Sequence, residues 1–600
     1  MAISLDIDAS SKQNKLACIV VDDPQFGTTF DDVQFQSALD YANANGLFSI
    51  VANGNYTFKV NVKPYLAQKI EINGRVDMQE PQLSLLTADA GEITALTMTV
   101  AGATRNRSDN RVVPVADGTK FLVGQQVCIT DNWFPYQGGG TWHTNQQALY
   151  CVITTINGNN ITVDRDFSNW KAKGAYGGSL TTVPIGGFMF EVAKGARMIS
   201  CESAFVLDGI DEVKIYGSGV VDGNRTADSG TANLANTIHI NPQNETLAEE
   251  DFTSNCIISC IGESENFEVN GLELKSSPMH NIRLRSAISP KVINCHIHDS
   301  HDKNVLVHGE GTKHSFNGNI DNCLIENSLF EDGIILYSFA DNFKITNNTI
   351  RRNARMGYAI QATCVGTQSI GNTIEFNENN CYWAAETGMT STNDTIIGGR
   401  LGAYKTTNKF VLAQSLIIES RNCIIDGLRM YQPTTMSTSF YPESADWTPI
   451  VIRDIKRNAS NPNGMANDYD QPKGLVFSNC RFFNLWCDVR NLTTMAWTGS
   501  PQNSTTPFIK WGGNSGGLDQ SWSGATFDNC HWVGVGQDML FDHTNGNGTP
   551  SKMLDFKYIY FDKCSWVDKT FTGTTTADLF GATANANDIA NFNFSNCNII

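Results

Sequence analysis

No stretch of this 600-residue chain is long and apolar enough to cross a bilayer as a helix, and Met1 to Ser11 lacks the basic start and apolar core of a secretory signal. Membrane insertion is therefore not expected, and a protein acting outside its cell of synthesis would leave by another route. Charge is sparse: 43 Lys and Arg face 61 Asp and Glu, a formal net charge of −18. That sign argues against nucleic acid, and against an anionic membrane surface, as the main partner. Helical periodicity is scarce too, because no segment after residue 50 sustains apolar residues at spacings of three and four. Glycine, asparagine, threonine and aromatic residues are plentiful instead, set in short runs that alternate apolar and polar. A large all-β protein follows.

Asparagine followed by cysteine occurs eight times, starting at Asn255, Asn294, Asn322, Asn380, Asn422, Asn479, Asn529 and Asn596. The phrase around it returns with small changes, as Val292-Ile-Asn-Cys-His-Ile297, Phe477-Ser-Asn-Cys-Arg-Phe482, Phe527-Asp-Asn-Cys-His-Trp532 and Phe594-Ser-Asn-Cys-Asn-Ile599. Cysteine-free versions such as Asn342-Phe-Lys-Ile-Thr-Asn-Asn-Thr-Ile350 fill the gaps, so that units recur roughly every 20 to 35 residues, as in a stacked solenoid. A right-handed parallel β-helix is expected, in which stacking buries what one coil cannot and like residues form interior ladders of Asn, Cys, Ile and Phe. The cysteines then read as small buried hydrophobes rather than disulfides or metal ligands. Their number, 16, suits synthesis in a reducing compartment.

Residues 31–46 predict one helix, with Asp31 or Asp32 as cap, a stripe of Phe35, Ala38, Leu39 and Ala42, and Gly46 as stop. Residues 88–186 break the repeat and read as a small inserted β-barrel, whose aromatic loop Trp133 to His143 could stack on sugar rings or pack against protein. The expected divisions are 1–87 for an N-terminal cap and first coils, 88–186 for the insert, 187–430 for the central β-helix, and 431–600 for C-terminal coils. Long loops are expected near 431–472 and 488–525, where binding function commonly resides.

Three segments carry two resemblances. Gly217-Ser-Gly-Val-Val-Asp-Gly-Asn-Arg225, followed by Asn266 to Leu284, resembles the polygalacturonase-type glycoside hydrolases and their relatives among bacteriophage tailspike depolymerases. The helix at 31–46 with Val51-Ala-Asn-Gly-Asn-Tyr-Thr-Phe58 is similar to the N-terminal capping helix and first strand of pectate-lyase-like β-helices in phage tail proteins. The first likeness covers roughly residues 200–400 and implies carboxylates for acid and base catalysis on two successive coils. Ser300-His-Asp-Lys-Asn304 and Phe330-Glu-Asp-Gly333 occupy those places, with Asp302 at the first and Glu331 and Asp332 at the second. The family's Gly-His-Gly is here Arg355-Met-Gly-Tyr358, and Arg-Ile-Lys has no counterpart, so the residues for pectin specificity are missing. The resemblance also implies a parallel homotrimer among other phage tail proteins, located in the virion and acting at the bacterial surface.

The residues themselves lead to the same place. Aligning Ile282-Arg-Leu-Arg285, Val305-Leu-Val-His308, Ile334-Ile-Leu-Tyr337 and Tyr358-Ala-Ile-Gln361 leaves Arg285, His308, Tyr337 and Gln361 in one outward column. Just before these strands the alignment stacks Asp302, Glu331 and Arg355, and coil spacing would set Asp302 and Glu331 roughly 5 Å apart. Two carboxyls that close divide into a protonated acid and an ionised base or nucleophile, as glycoside hydrolysis requires. His301, Arg285, His308, Tyr337, Arg355 and Gln361 are the candidate substrate contacts. His296 and His298 share one side of a strand, yet solvated turns and ladders explain the histidines more simply than a metal does, so no metal or cofactor is expected. The function that follows is hydrolysis of a bacterial capsule or O-antigen; a non-catalytic glycan-binding adhesin and a polysaccharide lyase are the rivals. The final phrase, Phe592 to Ile600, reads as one more coil, expected either at a subunit interface or beneath a further segment.

Overall fold

A computed structural model describes residues 18–79, 111–130, 148–164, 202–224, 256–309, 313–329, 331–337, 339–361 and 364–375, with shorter strand and turn segments among residues 83–107, 197–200 and 377–599. Its contacts divide the chain into two units: Met1–Ile261 with Leu272–Arg283 and Ser300–Asp302, and Gly262–Gly271 with Leu284–Asp299 and Lys303–Ile600. Each unit is made of coils that contribute strands to three parallel sheets, the expected parallel β-helix.

In the first unit, sheet 1 contains Cys18–Val20, Ser49–Ala52, Lys69–Ile72 and Lys214–Tyr216, and sheet 2 contains Asn55–Phe58, Arg75–Met78, Val220–Asp222 and Glu273–Lys275. Sheet 3 pairs Phe205–Asp208 with Ile258–Ile261. The helix spans Asp32–Ala44. Asp31 caps it by accepting from the Gln34 N–H at 2.9 Å, and Gly46 at φ 64° lets the Leu47 N–H return to the Ala42 carbonyl at 2.8 Å. The expected stripe is buried, and Phe35 meets the rings of Tyr56, Phe58 and Phe205 edge-on at 5.2, 5.2 and 5.8 Å.

Where a barrel was expected, six antiparallel strands form one sheet in the order Leu83–Leu85, Arg197–Ser200, Gln126–Thr130, Ala148–Asn157, Asn160–Val163, Val112–Pro114. Its two edges are bridged by Thr87 N–H to Pro114 O and Ala116 N–H to Leu85 O. Val113, Val127, Ile129, Ile153, Ile161 and Met198 form a core separate from that of the coils. The sheet takes in residues on both sides of 88–186, and parallel strands resume at Phe205. The aromatic loop at 133–143 lies outside the described residues.

The second unit carries the repeat. Sheet 1 runs from Glu268–Asn270 through Lys291–Ile293, Asn319–Asp321, Lys344–Thr346 and Gln368–Ile370 to Phe592–Ser595, and sheet 2 from His296–His298 through Leu324–Glu326, Thr349–Arg351 and Thr373–Glu375 to Asn598–Ile599. Five of the Asn-Cys pairs mark one place, the turn from sheet 1 to sheet 2. Asn294, Asn322, Asn479, Asn529 and Asn596 sit there at φ 52–57°. In other coils that place holds Asn347, Gly371, Gly398, Gly427 and, before Cys564, Lys563, also left-handed. A left-handed residue costs about 1–2 kcal/mol unless it is Gly or a residue such as Asn that bonds locally, which accounts for the restricted choice. Asn422 serves a different turn, before sheet 1, and Asn380 begins a strand of sheet 3. The sequence phrase thus maps to three structural positions.

The expected interior ladder of asparagine is corrected in one respect. The Asn of the dipeptide is exposed, for example where Asn322 Nδ2 donates to Asn294 Oδ1 at 2.8 Å. The following residue points inward. There Cys295, Cys323, Cys480, Cys530 and Cys564 are buried and free, each donating weakly from Sγ to a carbonyl. Buried Asn348 and Asn372 take the cysteine's place in two coils: Cys323 N–H donates to Asn348 Oδ1 and Asn348 N–H to Asn372 Oδ1, at 2.8 and 2.9 Å. Hydrogen bonding to the neighbouring cysteine, and then burial, push the Cys323 and Cys564 thiols up, which makes them inert. Phenylalanine forms the aromatic ladder that was expected: Phe477, Phe527, Phe561 and Phe594 stack at 4.8, 4.8 and 4.9 Å.

The left-handed turn yields a test. Asn322→Ala should cost about 1–2 kcal/mol in denaturant unfolding, and Asn322→Gly much less. Equal losses from the two would show that the ladder bond, and not the backbone, sets the choice.

Candidate functional site

In the second unit the site is built from the turn that enters sheet 3. Buried asparagines hold that turn from beneath: Asn304 Nδ2 donates to Glu326 O and Asn353 Oδ1 at 2.9 and 3.1 Å, Ser328 N–H donates to Asn353 Oδ1 at 3.1 Å, and Asn353 N–H donates to Asn377 Oδ1 at 3.0 Å. Ser328 Oγ donates to the Glu331 carbonyl at 2.5 Å. Gly333 closes the phrase because a Cβ there would lie 2.6 Å from the Gly357 carbonyl oxygen. The backbone that presents Glu331 and Asp332 is thereby fixed on both sides.

Four charged side chains meet on it. Lys303 Nζ lies 2.5 Å from Glu331 Oε2, and Arg355 Nη1 lies 3.5 Å from Glu331 Oε1. Arg355 also forks onto Asp332, Nε to Oδ1 at 2.8 Å and Nη2 to Oδ2 at 2.5 Å, while the Met356 N–H donates to Asp332 Oδ1 at 3.1 Å. The side chains of Glu331 and Asp332 are 4% and 0% exposed, so two carboxylates and two cations have been withdrawn from water together. Complete burial raises the Asp332 carboxyl above its ordinary value, even though the Arg355 guanidinium pulls the other way.

Asp302 belongs to the first unit. Its backbone N–H donates to Met279 O at 3.0 Å, and its Oδ2 lies 3.6 Å from His280 Nδ1; both side chains are buried. Sequence reasoning did not single out His280, although Ser-Ser-Pro-Met-His-Asn one coil earlier places a histidine level with the aspartate. His301, half-buried, donates its backbone N–H to Ser277 O at 2.9 Å. Cys256 lies near the same pair, and burial pushes its thiol up to about 12, so it is no nucleophile.

The expected column on sheet 3 has the expected register, His308 beside Tyr337 and Tyr337 beside Gln361, and the Ser286 N–H donating to His308 O sets Arg285 level with His308. Its exposure differs from expectation. Arg285 and His308 are 5% and 3% exposed, and the neighbouring outward residues Leu306, Ile335, Met356 and Ala359 form a buried apolar cluster against which Tyr337 packs. Tyr337 itself is half-buried. On sheet 2, His296 stacks on His298 at 4.0 Å and meets Glu326, which Arg351 also engages at 2.8 Å; His298 meets Asp299. Among the described residues no three His, Cys, Asp or Glu side chains are placed to hold a metal ion.

No family model matches the chain, and no curated protein matches it. Solved structures do. The N-terminal fragment of bacteriophage Phi29 gene product 12 is 10% identical over 97% of this chain and 70% of that one, with a TM-score of 0.45. The A-module of Azotobacter vinelandii mannuronan C-5 epimerase AlgE6 is 9% identical over 97% and 99%, at 0.40. The tailspike protein gp49 of Pseudomonas phage LKA1 is 10% identical over 90% and 76%, at 0.31. Likeness at this level assigns no activity to the chain.

The charge cluster predicts a stability effect. Arg355→Met strands a buried carboxylate and should cost about 3–5 kcal/mol in urea unfolding. The double variant with Asp332→Asn should recover part of that loss. Additive losses would mean that the two side chains act independently.

Proposed function

We propose that this chain is a phage tailspike that binds and hydrolyses a bacterial surface polysaccharide, capsule or O-antigen, through acid and base catalysis by Asp302 and Glu331. The observation that carries the reading is the buried cluster of Lys303, Glu331, Arg355 and Asp332. Withdrawing four charges from water is costly, and such perturbed groups concentrate where chemistry is done. Asp332 has both oxygens taken by Arg355 and the Met356 N–H, which suits a residue that positions Arg355 rather than one that moves protons. Glu331, held between two cations, is then the ionised base or nucleophile, and Asp302 the acid. His301, Arg285, His308, Tyr337 and Gln361 are the proposed sugar contacts. The protein would act in the virion at the bacterial surface, as a homotrimer beside other tail proteins.

Asp302→Asn and Glu331→Gln should each lower turnover by orders of magnitude on the capsule or lipopolysaccharide that the wild type cleaves, with glycan affinity little changed. Reducing-end release and equilibrium binding would be measured on the same variants. Full turnover in both, and in Asp332→Asn, would move the site elsewhere. Lys303 and Arg355 beside Glu331 favour a lyase as the second reading. An ultraviolet-absorbing unsaturated product would establish it in place of hydrolysis, and binding without cleavage of any glycan would establish an adhesin.

Assembly is tested separately. Sedimentation at micromolar concentration should give a trimer of the 65.8 kDa chain. A stable, well-behaved monomer would count against it.

A further inference from the structure

Glu202 lies where the antiparallel insert returns to the coils, two residues after the strand Arg197–Ser200 and three before Phe205–Asp208. It is 7% exposed. Its two oxygens face different bodies of the first unit. Oε1 accepts from the backbone N–H of Gln126, the first residue of an insert strand, at 2.5 Å. Oε2 accepts from Asn61, from the backbone N–H at 3.1 Å and from Nδ2 at 2.5 Å. Asn61 belongs to the coils: the next residue, Val62, bridges to Phe205, with Val62 N–H donating to Ala204 O and Val206 N–H to Val62 O, each at 3.0 Å. One carboxyl group thus gathers three donors, one from the insert and two from the coil that the insert interrupts.

We propose that Glu202 is a proton-operated staple, setting how firmly the insert is fastened to the parallel coils. Nothing in the proposed hydrolysis requires it. Burial lifts this carboxyl to about 7 from an ordinary 4.5, against the pull of its hydrogen bonds and of Lys63, the charged group that bears on it among the described residues; Gln126 and Asn61 are neutral. When the proton arrives, one oxygen still accepts and the other becomes a hydroxyl that needs an acceptor. Rotation of the Asn61 amide supplies one by presenting Oδ1. The direction follows from linkage. The fastened state takes up its proton as pH falls through about 7, whereas the released state waits until about 4.5. Fastening therefore strengthens as pH falls across that window, and the gain is lost as pH rises through 7.

Hydrogen exchange of the full-length chain, read by mass spectrometry on peptides covering Asn61, Gln126 and Glu202 and corrected for intrinsic rates, tests this between pH 5 and 8. Wild-type protection should fall roughly ten-fold per pH unit between pH 5 and 7, the slope that one linked proton gives. Glu202→Gln, which carries no titrating proton, should be flat there while peptides in the insert core keep their wild-type profile. Lys63→Met removes a positive charge that favours the carboxylate and should move the wild-type midpoint to higher pH. A Glu202→Gln variant that keeps the wild-type slope, or a wild type with no slope, overturns the proposal. If Glu202→Gln does not fold, Lys63→Met decides: a raised midpoint supports the staple, and an unmoved or lowered one rejects it.

Discussion

Everything in this molecule depends on matching each strand's backbone donors and acceptors with those of the next coil. A coil standing alone would leave a row of N–H and C=O groups unpaired and one apolar side in water. Pairing within a parallel sheet demands that every coil bend at the same places, and the bends are made by residues in the left-handed region. That single backbone requirement explains why asparagine and glycine interchange at positions 294, 322, 347, 371, 398 and 427 and why the side chain that follows points inward. The interior then has to be filled by residues that tolerate stacking on their own kind. Cysteine, asparagine and phenylalanine each do so by a different means: a weak S–H bond to a carbonyl, an amide that takes the N–H of the coil before it, and parallel ring contact.

The same stacking makes the charge cluster. Lys303, Glu331 and Arg355 are far apart along the chain, and in the second unit they meet because each occupies the turn into sheet 3 of its own coil. A buried pair repays its desolvation only when geometry is good and the remaining valences are filled. Asp332 meets that condition through the forked Arg355 and the Met356 N–H. Glu331 meets it through two separate cations, Lys303 and Arg355. The asparagine ladder beneath is what lets these side chains stay put, since it ties the turns of four successive coils to one another.

The first unit solves its packing differently. Its helix and first strands close on a cluster of edge-on aromatic rings, and the six-stranded insert brings an apolar core of its own. Two bodies with separate cores need a joint. At the return crossing the joint is polar, one buried carboxyl whose donors come from both sides.

The sequence by itself determined the fold class and the position of the helix, because left-handed turns admit few residue types and an amphipathic stripe needs only local spacing. It also determined the register of His308, Tyr337 and Gln361, which follows from alternation in strands of similar length. It could not separate the three structural places that Asn-Cys occupies, since two residues long is too short a phrase to say which turn it serves. Nor could it show that Arg285 and His308 are buried, for alternation gives the side of a sheet and not what lies over it. Only the tertiary structure set Lys303 on Glu331, placed His280 against Asp302, and set Glu202 between the insert and its coil. These contacts join residues on different coils, and their distances depend on how the coils stack, which no local pattern encodes.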